Sequence, residues 1–479
     1  MNLFLFNLAI ILGAIFFAYF SWRKIELGIL TIVFCLPLYL VRLNIFGVPS
    51  TVLELVIYIL FAIWFIKNSR HIKLREIIPD RMLGIGIILL LAGATISTIL
   101  SSDLKTSAGI LKGWFFDPFL FFIILVSEIR TLKQKENILK ALYFSGSLVA
   151  LVSLVYLIFP ALSGVSYDGR LHGFYLSPNY LAMYLAPALI VGIYVFLKSD
   201  FKTLNIKTCQ PFSITMGTPL PPCCSPRFDQ GEAGNLKQIG KFWRSKGFNL
   251  FILLIIFLAL SFTYSYAAWF AAAVAVFLLI YLIAPKKRKI FFGVVFLILF
   301  VSFFGQSGTG KFENLKDLSY RSSYNSRLMI WRSAWEIGKD NWLTGIGPGN
   351  FQKYYLDYQI RFSEPYLEWA VPEPHNIFLA FWLETGILGL AGFFVILAWF
   401  FKKSVSLLSL SLRGIRPLAE TKQSNNFLDR ENFLLIAALF SLMVYTVVHG
   451  LFDTTYWKND LAIIFWLNLG LLAAIKKNR

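Results

Sequence analysis

Pro372-Glu373-Pro374-His375-Asn376 opens directly onto the run Ile377–Phe401, IFLAFWLETGILGLAGFFVILAWFF, in which the single charge is Glu384. A bilayer core about 30 Å thick is crossed by about 20 apolar helical residues, so this run is long enough to span it. The two prolines keep the preceding chain extended, and Asn376 is placed to cap the helix that starts after it.

Runs of the same kind recur along the whole chain. Hydropathy marks thirteen of them, at about 3–20, 25–43, 50–66, 82–100, 114–128, 138–159, 179–197, 248–264, 266–284, 290–304, 376–401, 432–452 and 460–475. The apolar stretch 248–284 is too long for one crossing and is divided at Tyr264-Ser265-Tyr266. The composition agrees: 57% of the 479 residues are hydrophobic and 15% charged, against about 25% charged in a soluble domain. A soluble enzyme, a coiled coil and a disordered chain are excluded. The expected fold is an all-α integral membrane protein with about 12–13 transmembrane helices and a large helical extracytoplasmic loop. The first run lacks a small-residue cleavage site and reads as a span, not a signal peptide. Cys35 lies in a span, and Cys209, Cys223 and Cys224 share one loop, which is neither a disulfide framework nor a zinc signature.

The net charge of +19 is explained by topology. Sorting the loops alternately places 31 Lys and Arg on one side and 12 on the other. The richer side is read as cytoplasmic, with the N-terminus outside and the C-terminus inside, in the cytoplasmic (inner) membrane. Nucleic acid is therefore not an expected partner; membrane lipids are. The organisation follows: N-terminal helices over 1–197, a cytoplasmic loop 198–247 with a disordered insertion near 208–240, central helices over 248–304, a large outer loop 305–375, and C-terminal helices over 376–479.

Three of the four histidines, His172, His375 and His449, fall at the outer boundary. His375 precedes a helix N-terminus, whose unpaired N–H groups suit an anion such as a diphosphate and whose field favours a neutral imidazole able to accept a proton. Its plainer reading is an interfacial cap. Glu384 is nine residues on and half a turn out of phase with His375, so a His–Glu dyad is not expected; an acid inside a span calls for a partner on another helix. Tyr324–Asp340 carries Leu328, Trp331, Trp335 and Gly338 at helical spacing, consistent with a helix lying on the membrane surface. Arg327 stands one turn before Trp331, and Arg332 is spaced to pair with Glu336. Each arginine has a lipid-headgroup reading and a diphosphate reading. The glycine-rich Gly345–Asn350 is neither a P-loop nor a dinucleotide fingerprint and reads as a tight turn, with backbone anion binding as the alternative. Arg170 and His172 precede Asn179, which opens another helix. His449 and Asp453 are spaced to interact. Metal-ligand spacing is absent.

Pro374-His375-Asn376-Ile377-Phe378-Leu379, running into Leu383-Glu384-Thr385-Gly386-Ile387-Leu388-Gly389, together with Ser326-Arg327, Trp331, Leu343-Thr344-Gly345-Ile346-Gly347 and Phe351, resembles the O-antigen ligase and O-antigen polymerase family. Arg170, Gly173, Pro178-Asn179, His449 and Asp453 are weaker echoes. The resemblance implies a metal-independent, inverting glycosyltransferase that needs no cofactor. It implies transfer of a glycan from undecaprenyl diphosphate to a glycan, lipid or protein acceptor. His375 and Arg327 are then catalytic, and Arg170, Arg332, His172, Asn376, Asn179 and Glu384 bind substrate. The chain departs from the family pattern at Ser265-Tyr266, where an arginine is usual after the serine. A flippase for lipid-linked glycans is the competing expectation, and would show broken helices and polar residues at mid-membrane depth.

Overall fold

The computed structural model describes residues 3–45, 48–71, 77, 78, 80–159, 163–166, 168–207, 246–283, 289, 293, 323–361, 369, 371–415 and 423–475. The 208–240 insertion with Cys209, Cys223 and Cys224, the expected span 290–304 apart from Gly293, and residues 305–322 of the expected outer loop lie outside them.

The chain is built from α1 (Leu3–Arg23), α2 (Ile25–Phe34), the hairpin β1 (Arg42–Ile45) and β2 (Val48–Thr51), α3 (Val52–Asn68), α4 (Arg81–Ile99), α5 (Leu104–Ile110), α6 (Asp117–Glu128), α7 (Leu132–Ile158), α8 (Pro178–Lys207), α9 (Lys246–Phe262), α10 (Tyr266–Ile283), α11 (Ser323–Asp340), α12 (Phe351–Gln359), α13 (Ile377–Ile415), α14 (Gln423–Gly450) and α15 (Asn459–Ala473). Among the described residues, eight helices are long and apolar enough to cross a membrane. The fold is an all-α multi-pass membrane protein, as its composition requires.

Three expectations need correction. The run 25–43 is not one helix: α2 stops at Phe34, Leu36–Leu40 forms a 3-10 turn with Pro37 near its start, and the chain enters the antiparallel hairpin. Glu54 does not sit inside a span. It occupies the third position of α3 in a capping box, taking the Thr51 N–H at 3.2 Å while its own N–H donates to Thr51 Oγ1 at 3.2 Å. The loops following α8 and α13 begin as helix, because α8 continues to Lys207 and α13 to Ile415.

Side-chain contacts sort the loops into two ends, and the grouping matches the one derived from charge. At one end Gln134 donates to Glu26 at 3.1 Å, Asn68 to Glu128 at 3.2 Å, and Lys198 pairs with Glu136 and, at 3.2 Å, with Glu431. At the other end Lys112 meets Glu54 at 2.6 Å, Asn459 donates to Glu54 at 3.0 Å, and Arg170 donates to the Thr263 carbonyl at 2.9 Å.

α13 packs along α4 through glycines. A Cβ on Gly93 would lie 2.3 Å from the Gly389 nitrogen, and one on Gly392 would lie 2.3 Å from the Leu90 nitrogen. Only glycine permits this backbone approach, the usual device where lipid supplies no hydrophobic drive between helices.

α13 is broken at Gly386, whose φ of 67° and ψ of −174° are closed to other residues. The freed groups are satisfied by the glycine-rich loop: Ile346 N donates to Leu383 O at 2.7 Å and Ile387 N to Leu343 O at 3.3 Å. α11 and α12 pack over this joint around a small core of Met329, Ile330, Ile337, Ile346, Phe351 and Leu383. The buried stripe of α11 thus runs through Met329, Ile330 and Ala334. Trp335, expected on the apolar face, is exposed and stacks edge-on to Trp382 of α13 at 5.2 Å.

Candidate functional site

His375 sits at the joint between an extended Pro-rich segment and α13. Its backbone is left-handed, with φ 47°, a conformation uncommon outside glycine that histidine enters more readily than most residues. Asn376 is the cap: its Oδ1 accepts from Phe378 N at 2.9 Å and Leu379 N at 3.1 Å, and its Nδ2 donates to Leu451 O at 3.1 Å. Those helix-end donors are therefore already used, and the anion site expected there is occupied by the protein itself.

The imidazole faces a carboxylate. His375 Nδ1 lies 3.1 Å from Asp453 Oδ1, which also accepts from Thr454 N at 2.9 Å. Asp453 is 2% exposed and lies in the turn after α14, where its N–H donates to His449 O at 3.0 Å. A carboxylate only accepts, so Nδ1 carries the proton and Nε2 presents its lone pair. Burial pushes the His375 pKa down, but the Asp453 hydrogen bond and charge outweigh it and hold the value above the ordinary 6.5. The sequence expectation was the opposite, a neutral histidine kept so by the helix field. The carboxylate is closer, and Asn376 has already capped the helix. Burial would raise Asp453, and the His375 hydrogen bond, with the charges of His375, His449 and Arg327, brings it well below the usual carboxylate range.

Arg327 of α11 joins this group. Its charge acts on His375, Asp453, His449 and Arg170, and among the described residues it has no ion-pair partner. Arg170 is more tightly held: Nη2 donates to Asn179 Oδ1 at 2.6 Å, Nε to Thr263 O at 2.9 Å, and Asp168 is 4.0 Å away. Tyr266 is among the groups that act on Arg170.

The remaining sequence candidates divide. Asn179 is brought to Arg170. His172 is held within its own turn by the Tyr175 carbonyl at 2.7 Å. Arg332 is exposed, about 140° round α11 from Arg327, and Glu336 pairs with Lys339 at 2.7 Å instead of Arg332. Glu384 is fully buried and does find partners on other elements: Trp457 Nε1 donates to it at 2.5 Å and Gly349 N at 2.9 Å. The glycine loop spends its N–H groups internally too, Gly347 on Ser97 at 3.0 Å and Gly345 on Asn341 at 2.8 Å, so it is a joint and not an anion cradle. The side chain of His449 bonds Tyr445 at 2.8 Å, not Asp453. Sequence reasoning missed Asp453 as the partner of His375 and missed the burial of Glu373. Among the described residues, no cluster of three or more His, Cys, Asp or Glu has the geometry to hold a metal ion.

The arrangement combines a basic imidazole nitrogen, a carboxylate that orients it and a guanidinium with no ion-pair partner among the described residues. Such a group can take a proton from a hydroxyl while stabilising a departing anion. Residues 251–394 match the family model described as O-antigen ligase, a family of membrane enzymes that join glycans. The matched stretch contains Arg327, His375 and Glu384 but ends before Asp453. No curated protein sequence matches the chain at a significant level.

Proposed function

We propose, from the match of residues 251–394 to the O-antigen ligase family model, that the protein transfers a glycan from a polyprenyl (undecaprenyl) diphosphate to an acceptor hydroxyl, as a ligase or a polymerase. The transfer takes place at the outer face of the cytoplasmic membrane. His375 Nε2 accepts the acceptor's O–H proton. The oxygen then bonds to the sugar's anomeric carbon from the face opposite the diphosphate. The bond from that carbon to the diphosphate oxygen breaks, and the electron pair leaves with the diphosphate. Arg327, and Arg170 beside Tyr266, meet the developing negative charge. Asp453 holds the imidazole in the required tautomer and stabilises the imidazolium that forms. The acceptor is a glycan, lipid or protein hydroxyl.

The observation that carries this reading is the His375–Asp453 pair, 3.1 Å apart, with the charge of Arg327 acting on both members. It is supported by the chemistry of the location: outside the cytoplasm there is no nucleotide pool, and a polyprenyl diphosphate brings its own leaving group. The decisive experiment reconstitutes the full chain with a lipid-diphosphate-linked glycan and measures formation of a new glycosidic bond. His375→Ala and Arg327→Ala are each expected to lower it by about 10²-fold or more; unchanged transfer in both would remove the assignment.

The flippase alternative draws on the break at Gly386 with Glu384 beside it. That break is filled by residues 343 and 346 and by Trp457 and Gly349, which favours a packed joint over a transport site.

A further inference from the structure

A second polar cluster borders the His375–Asp453 pair and has no part in the proton transfer. Glu373, 4% exposed, accepts from the Thr454 hydroxyl and from Tyr180 Oη at 3.4 Å, and Lys458 Nζ lies 3.5 Å from it. The same ammonium lies 4.2 Å from the Tyr180 ring centroid and 5.8 Å from that of Trp114. Tyr39 lies within electrostatic reach of Glu373 and Tyr180. Trp114 is held by its edge, Nε1 donating to Asn459 at 3.0 Å.

Two irregular backbone segments bring the rings here. Tyr39 lies on the 3-10 turn Leu36–Leu40, and Trp114 on the π-helical turn Leu111–Phe116. Departures of this kind re-aim side chains and are enriched at functional sites. The cluster also remains open. Lys458 keeps 19% of its side-chain surface, and Tyr39, Trp114 and Tyr180 are only half-buried.

The chemistry selects the ligand. An anion would meet the Glu373 carboxylate, and a lipid tail would desolvate both charges. A pyranose fits: its C–H face is apolar and packs on aromatic rings, while its hydroxyl rim donates to a carboxylate and accepts from an ammonium. Position selects which sugar. The strongest charge partners of Glu373 are Lys458, Asp453 and His375, whereas those of Arg170 are Asp168, Asp453 and Arg327. The cluster and Arg170 thus share Asp453 as a neighbour while their other charge partners differ, and Glu373 stands two residues from His375 with its Thr454 partner next to Asp453, which puts the cluster within reach of an acceptor at the His–Asp pair.

We propose that Trp114, Tyr180, Glu373 and Lys458, with Tyr39 at their border, form a saccharide-binding subsite that seats the acceptor's sugar ring beside His375. The acceptor role rests on the glycosyltransferase reading; the binding of a sugar does not.

The test uses the full chain in lipid nanodiscs and, as probe, the oligosaccharide released by mild acid from the producing cell's own envelope glycan. Saturation-transfer NMR reads contact with the ring C–H protons, and transfer from a lipid-linked donor is followed at varied oligosaccharide concentration. Wild type and His375→Ala should both show sugar contact. Trp114→Ala and Lys458→Met should each weaken it about tenfold, the scale of one lost aromatic or charge-assisted contact, and raise the acceptor KM alike with kcat little changed. Trp114→Phe, which keeps a ring, should recover most of the binding. Absence of sugar contact in the wild type, or wild-type contact and KM in both variants, overturns the subsite. Sugar contact without any new glycosidic bond leaves the subsite standing and removes the transferase reading.

Discussion

The Nδ1 atom of His375 lies 3.1 Å from Oδ1 of Asp453, and this contact determines which imidazole nitrogen is free to take a proton. Because Asp453 can only accept, Nε2 is left as the basic atom.

Asp453→Asn should preserve the packing and remove the carboxylate that selects the tautomer. Transfer should fall by about 10²–10⁴-fold, the usual contribution of a general base. The acid limb of the rate profile should also move. The reaction needs neutral His375, whose pKa is held above 6.5 mainly by Asp453 against burial. Without the carboxylate, burial and Arg327 remain and both lower the value, so the limb shifts to lower pH. A pH–rate profile of transfer checks this.

Arg327→Ala should lower transfer by about 10²–10³-fold, as loss of one group stabilising a developing anion does. Here the acid limb should move the other way. Arg327 opposes the protonation of His375, so its removal raises the histidine pKa. Opposite shifts in the two variants would separate an oriented base from a general loss of structure.

The pair should also leave a mark on stability. The raised His375 pKa contributes stability that is full below about 6.5 and fades as pH rises through the folded value. The lowered Asp453 pKa contributes stability present above 3.8 and lost as pH falls through its folded value. The melting temperature in detergent should therefore be favoured between these limits, and Asp453→Asn should flatten that dependence.

Glu384→Gln should keep most activity, since an amide oxygen still accepts from Trp457 and Gly349. Glu384→Ala leaves both donors unpaired in a buried place and should cost about 1–3 kcal/mol per orphaned group, read as a lower unfolding temperature. Equal loss of transfer in both variants without loss of stability would make Glu384 a chemical group instead of an anchor.

Gly386→Ala should destabilise more than an ordinary surface change, because its Cβ would lie 2.4 Å from Leu343 O at a φ of 67°. Limited proteolysis should then cut between residues 341 and 350 faster than in the wild type.

Much of this fold is legible from hydropathy, because a bilayer leaves few options for long apolar runs. The Asn376 cap and the grouping of loops by charge follow from local pattern alone. The His375–Asp453 contact joins positions 78 residues apart, and no spacing rule links them. The break at Gly386 was hidden for a related reason: an isolated glycine is tolerated in a helix, and it becomes a break here only because residues 343–346 arrive to satisfy the freed groups. The turn at Leu36–Leu40 is as apolar as a helix, so hydropathy alone does not separate it from a span; Pro37 is the local signal.

The exchange of backbone hydrogen bonds between residues 343–346 and 383–387 ties two distant parts of the chemistry to one splice. α11, which carries Arg327, leads into it from one side, and the first turns of α13, behind His375, lead into it from the other. The placement of guanidinium relative to imidazole thus depends on main-chain bonds as well as on the side-chain core under α11. A lesion in the splice would mistune both groups at once, without touching either.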